Sequence, residues 1–243
     1  QLKQRPRISE VHYHGIKKSE REDLDAKLGL KKGFQVTPNV MDRTKLVIQK
    51  FFDGKGFKNV DVEIEQKDDP AHEGEVIVDI NIDKNQKTKI HRITFEGNSA
   101  LTARDLKKAM KKTNEKFSFY NDWKTSILEM FSTKKFTTEE YENDKNNVIA
   151  KYNEHGYRDA VLLSDSVWNY NEKKVDIHLK VEEGQKYYVR NIEWVGNTLY
   201  PTDVLSAILN MKKGDVYNQK KLNERISTDD DAVGNLYYNN GYV

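Results

Sequence analysis

The chain has 243 residues, a third of them charged, and its 41 basic and 39 acidic side chains leave a net charge of only +2. That balance argues against a nucleic-acid or anionic-membrane footprint. The absence of cysteine excludes disulfides, thiol catalysis and cysteine-ligated zinc, and no apolar run approaches the ~18 residues of a membrane-crossing helix.

From the N-terminus, Ile8, Val11 and Tyr13 lead to Gly15. Val11 and Tyr13 share the period of two that marks one face of a strand. Ser19 and Glu22 have capping-box spacing, and Leu24 and Leu28, four apart, predict a helix that Gly33 ends. Thr37-Pro38 opens a second helix carrying Met41, Ile48 and Phe52 on one face, and Gly56-Phe57 closes it. Two strands follow: Val60, Val62 and Ile64 alternate with acidic residues, and then Val76, Val78, Ile80 and Ile82 alternate with Ile77, Asp79, Asn81 and Asp83.

The same order returns twice. In the second copy Ile90, Ile93, Phe95 and Gly97 are followed by Thr102 with Asp105, by Leu106 and Met110, and by Glu115, which breaks the glycine pattern. Tyr141, Val148 and Tyr152 lead to Gly156-Tyr157, and two strands run through Ala160-Val161-Leu162-Leu163 and through Val175, Ile177, Leu179 and Val181. The third copy has Val189, Ile192, Trp194 and Gly196, then Leu205, Leu209 and Gly214, then Ile226, Val233, Tyr237 and Gly241-Tyr242. Its last two strands have no counterpart before Val243, so the natural chain is expected to continue. Each unit reads β-α-α-β-β, an arrangement met in repeat architectures.

The segments Arg92-Ile93-Thr94-Phe95-Glu96-Gly97-Asn98 and Arg190-Asn191-Ile192-Glu193-Trp194-Val195-Gly196-Asn197 resemble the first strands of POTRA domains. Lys213-Gly214-Asp215-Val216-Tyr217, Tyr237-Tyr238-Asn239-Asn240-Gly241-Tyr242 and Val181-Glu182-Glu183-Gly184 fit the same family. The likeness runs from about Ile8 onward. It implies an α+β fold of tandem modules, each a three-stranded mixed sheet covered by two antiparallel helices, at residues 6–86, 87–186 and 187–243. It also implies the periplasmic arm of a BamA-like assembly factor at the outer membrane. Such an arm receives unfolded outer-membrane proteins, docks accessory lipoproteins, and reaches the membrane only through a C-terminal barrel. A scaffolding POTRA array of a related secretion, translocation or envelope protein is the alternative. Copy one departs from the pattern with Gly15-Ile16 where the others have Gly-Asn, so its turn is expected to differ.

The stretches from Gly15 to Gly56, Gly97 to Gly156 and Gly196 to Gly241 span 41, 59 and 45 residues. The excess in copy two falls within about 117–136. There Phe119, Trp123, Ile127 and Phe131 have helical spacing and suit either local packing or a partner. No catalytic motif occurs. His12 and His14 sit two apart on the first strand without a third ligand, so no metal or cofactor is expected. Partner binding is expected instead, by strand addition along the second strand of each complete copy: Val60, Val62 and Ile64 in the first, and Ala160, Val161, Leu162 and Leu163 in the second. The linkers at 83–90 and 182–189 are short and poor in glycine, which predicts limited hinges.

Overall fold

The computed structural model describes residues 5–115 and 135–242. In chain order its elements are β1 (Arg7–His14), α1 (Lys18–Leu28), α2 (Pro38–Asp53), β2 (Asp61–Asp68), β3 (Glu75–Asp83), β4 (Lys89–Glu96), α3 (Ala103–Ala109), α4 (Thr138–Glu154), β5 (Val161–Asn171) and β6 (Lys174–Glu182). Then come α5 (Thr202–Leu209), α6 (Gln219–Asn223), a π-helical turn (Glu224–Thr228) and α7 (Val233–Tyr238). The chain divides into two compact units: Gln1–His91 with Lys116–Tyr141 and Asn169–Val175, and Arg92–Glu115 with Glu142–Trp168 and Asp176–Val243. The division passes through the second copy, so each stretch joining two copies lies inside one unit.

In the first copy β3 is the central strand. It pairs in parallel with β1 and antiparallel with β2, giving the order β1-β3-β2. Its inward residues Val76, Val78, Ile80 and Ile82 are buried against Leu24 of α1 and Met41, Ile48 and Phe52 of α2. Burial of these apolar faces is the main favourable contribution to the fold. Gly15 ends β1 with φ +81, and a Cβ there would stand 2.0 Å from the Ile82 carbonyl oxygen. Only glycine lets the first strand pass over the third so closely.

The second copy repeats the plan with sheet order β4-β6-β5. Val175, Ile177, Leu179 and Val181 of β6 are buried, as are Leu106, Val148 and Tyr152. Gly97 again sits over the third strand, where a Cβ would lie 2.1 Å from the Val181 oxygen.

Several local expectations change. The α1 box uses Glu20, whose Oε2 accepts the Lys17 N–H at 2.9 Å and the Lys84 ammonium at 3.0 Å, in place of the predicted Ser19 and Glu22. Helix α1 starts only three residues after Gly15, whereas α3 and α5 start six after theirs. The cause is the turn: Asn98 and Asn197 donate to the carbonyls of Leu101 and Tyr200, while Ile16 of copy one packs on the core. Gly33 and Gly214 do not end helices. Gly29 and Asn210 do, in the left-handed region, whereas the Gly33 and Gly214 N–H groups donate to Ile8 and Val189 at 2.7 and 2.8 Å.

In the third copy the segment predicted as a strand, Val189 to Trp194, is not one. A strand needs a ladder partner, and no counterpart of β3 or β6 is present among the described residues. The second helix of this copy is also broken at Asp229–Asp231. There the Arg225 guanidinium bonds Asp231 at 2.8 and 3.1 Å and Asp229 at 3.2 Å.

Candidate functional site

The segment before the second helix of each copy is fastened to the start of that copy. In copy one the segment before α2 pairs with the start of β1: Ile8 N–H donates to Phe34 at 2.9 Å and Val36 N–H to Pro6 at 3.0 Å. In copy two Phe136 N–H donates to Thr88 at 2.8 Å, and in copy three Tyr217 N–H donates to Tyr187 at 3.0 Å. The helices that follow begin alike, with Thr37, Thr137 and Asn218 accepting a backbone N–H three residues on. The sheet edges opposite β1 and β4 are formed by β2 and β5.

These two edges differ in chemistry. On β2, Val62 is buried and Ile64 half-buried against the core, while Asp61, Glu63, Glu65 and Lys67 are exposed. Val60 is buried and precedes the strand. The side chains of Val60, Val62 and Ile64 are therefore core, and the main chain is what this edge presents. On β5, Val161 is 47% exposed, Leu163 53% and Trp168 47%. Leu162 is half-buried, and Ala160 is buried in the turn before the strand. Trp168 and Tyr170 were not anticipated. Their spacing of two ahead of the Asn171-Glu172 turn was the available sign that the strand runs on to the hairpin. Tyr170 stacks on His91 at 3.7 Å.

Residues Phe119, Trp123, Ile127 and Phe131 of the predicted insertion helix lie outside the described residues. Described residues on either side of that stretch make specific hydrogen bonds. Asp144, buried in α4, accepts the N–H groups of Lys112 and Thr113. Glu115 accepts the Ile93 N–H and pairs with Lys107 at 2.7 Å. On the far side, Phe136 is held at Thr88.

Sequence reading also missed what the helix-ending glycines do. Gly56 has φ +89 and accepts the Thr88 N–H at 2.9 Å; Gly156 has φ +92 and accepts the Tyr187 N–H at 2.8 Å. A Cβ would meet Lys135 at 2.6 Å in the first case and Val216 at 2.7 Å in the second. Each is thus a seat for the next copy. Lys87 lies over Phe57 at 5.6 Å and Lys186 over Tyr157 at 5.8 Å, the same contact made twice. Lys58 lies 5.1 Å from the Phe136 ring, and burial pushes its ammonium below the ordinary lysine range. Tyr187 donates to Asp159 at 2.5 Å, which raises the phenol above its usual value.

The third copy has an apolar groove of about 460 Å3 lined by Val189, Ile192, Trp194, Leu209, Met211 and Ile226.

A family model described as "POTRA: Surface antigen variable number repeat" matches residues 6–85, 88–184 and 187–243. Among curated proteins, one of Treponema pallidum (strain Nichols), provisionally named an outer membrane protein assembly factor, is 27% identical over all of this chain. Outer membrane protein assembly factor BamA of Neisseria meningitidis serogroup B is 24% identical over 97% of it. The chain spans 27% and 29% of the lengths of these two relatives. Of solved structures, the BamA POTRA3-5 segment of Haemophilus influenzae is 16% identical, with 90% of this chain and 82% of that one covered and a TM-score of 0.42. With three tandem matches spanning nearly its whole length, the chain belongs to the POTRA family.

Proposed function

We propose that this chain is a periplasmic binding arm at the outer membrane that captures unfolded outer-membrane β-barrel proteins by adding their extended segments to an open sheet edge. The observation that carries this reading is the β5 edge. It combines the open side of a three-stranded sheet with exposed Val161, Leu163 and Trp168. An unpaired edge supplies main-chain donors and acceptors whatever the client's sequence, and exposed apolar side chains favour the alternating apolar residues of a barrel strand. The β2 edge takes part through its main chain alone, and accessory assembly lipoproteins dock on the same arm. Relatives named as assembly factors support this direction.

The test is crosslinking of a photoreactive barrel-strand peptide to the wild type and to Val161→Pro. Proline removes a main-chain donor at the edge while leaving the buried residues in place. A crosslinking yield reduced at least several-fold, with an unchanged circular dichroism spectrum, is expected. Unchanged crosslinking would remove β5 from the account.

A further inference from the structure

We propose that Asp69, His72 and Glu75, in the turn joining β2 to β3, form a binding site for a divalent transition-metal cation such as Zn2+. The three residues are spaced three apart around a turn closed on itself. Asp69 N–H donates to the Glu75 carbonyl at 3.0 Å, His72 N–H to the Asp69 carbonyl at 3.2 Å, and Glu75 N–H to the His72 carbonyl at 3.1 Å. This closure gathers the side chains: one donor atom from each lies within 4.8 Å of the other two. An ion bound at roughly 2.0–2.2 Å from nitrogen and oxygen ligands fits among groups so spaced after small side-chain shifts.

Two of the donors are already oriented. The Asp69 side chain is only 8% exposed. One of its oxygens accepts the Ala71 N–H at 2.8 Å, and the other stands 2.9 Å from His72 Nδ1. The third donor, Glu75, is half-buried at the start of β3. Glu75 Oε2 is shielded from solvent and accepts no hydrogen bond from the protein. A buried carboxylate oxygen without a donor is costly, and a cation offsets that cost.

A second histidine–carboxylate cluster on the same sheet shows what a satisfied version looks like. Asp79 lies 3.3 Å from His12 and 3.5 Å from His14, but Lys67 holds its other oxygen at 2.7 Å. Among the described residues no lysine or arginine pairs with Asp69 or Glu75 in this way. An imidazole with two carboxylates suits a borderline cation such as Zn2+ better than Ca2+ or Mg2+. Bound there, it would tie the β2–β3 turn to the end of the sheet, where Arg7 N–H meets the Gly74 carbonyl.

Calorimetric titration of the chain with Zn2+ tests the proposal. One saturable site is expected. His72→Ala and the near-isosteric Glu75→Gln should each weaken it by about tenfold or more, while His12→Ala leaves it within about twofold. Zn2+ should also raise the melting temperature of the wild type but not of Glu75→Gln, a readout that holds even if His72→Ala folds poorly. No saturable binding, or an isotherm and melting shift unchanged in Glu75→Gln, would overturn the site.

Discussion

The β2 and β5 edges occupy the same place in two copies of one fold, and they differ in what they show to solvent. Strand β2 places its apolar residues inward and lines its outer face with Asp61, Glu63, Glu65 and Lys67. Charges of this kind are the usual protection of an open edge against unwanted pairing. Strand β5 leaves Val161, Leu163 and Trp168 in solvent. Topology makes an edge available in both copies, but side-chain chemistry decides whether it invites an extended partner. In a tandem array that decision can be made copy by copy, because the inward side chains of an edge strand build the core while its outward ones are free to vary.

The comparison first requires that the two cores be equivalent. Leu24 and Leu106 hold matching positions and are both fully buried. Leu24→Ala and Leu106→Ala should each cost about 2–5 kcal/mol, measured by denaturant unfolding. A large cost in one copy alone would mean that the edges differ because the folds do.

Much of this core was legible in the sequence. The period-two and period-four anchors located β1, β3, α2, β4 and β6, and Thr37-Pro38 and Thr102 opened helices where the capping chemistry said they should. The misses share a cause. Gly33 and Gly214 are signals for positive φ, but the sequence alone does not say whether that φ ends a helix or turns the chain onto β1. The segment Val189 to Trp194 alternates like a strand, yet the strand state depends on a partner. Exposure along β5 and the seats made by Gly56 and Gly156 arise from tertiary placement, which local pattern does not encode.

The edges can then be perturbed directly. Leu163→Asp should weaken binding of a barrel-strand peptide by about tenfold, since a charge in place of an exposed apolar contact is worth roughly 1–3 kcal/mol at a binding surface. Glu63→Lys on β2 should change it by less than about twofold, as surface charges contribute little. Anisotropy titration reads both. A converse experiment sharpens the contrast: Glu63→Val with Glu65→Leu gives β2 an apolar outer face, and sedimentation should then detect new peptide binding or self-association.

The smallest expected effect concerns pH. The folded Asp69 carboxyl titrates at about 2 against an ordinary value of 3.8. Its contribution is therefore fully present above about 3.8 and is lost as pH falls toward about 2. Asp69→Asn should flatten that part of the acid-unfolding profile, and an unchanged profile would show that the turn does not hold the group as described.

The most direct test of the central claim is residue-resolved amide exchange, with and without a saturating barrel-strand peptide. Strand addition at β5 predicts new protection at alternate amides between Val161 and Trp168, with β2 amides from Asp61 to Asp68 little changed. Protection on β2 with none on β5, or no strand protection at all despite binding, would contradict it.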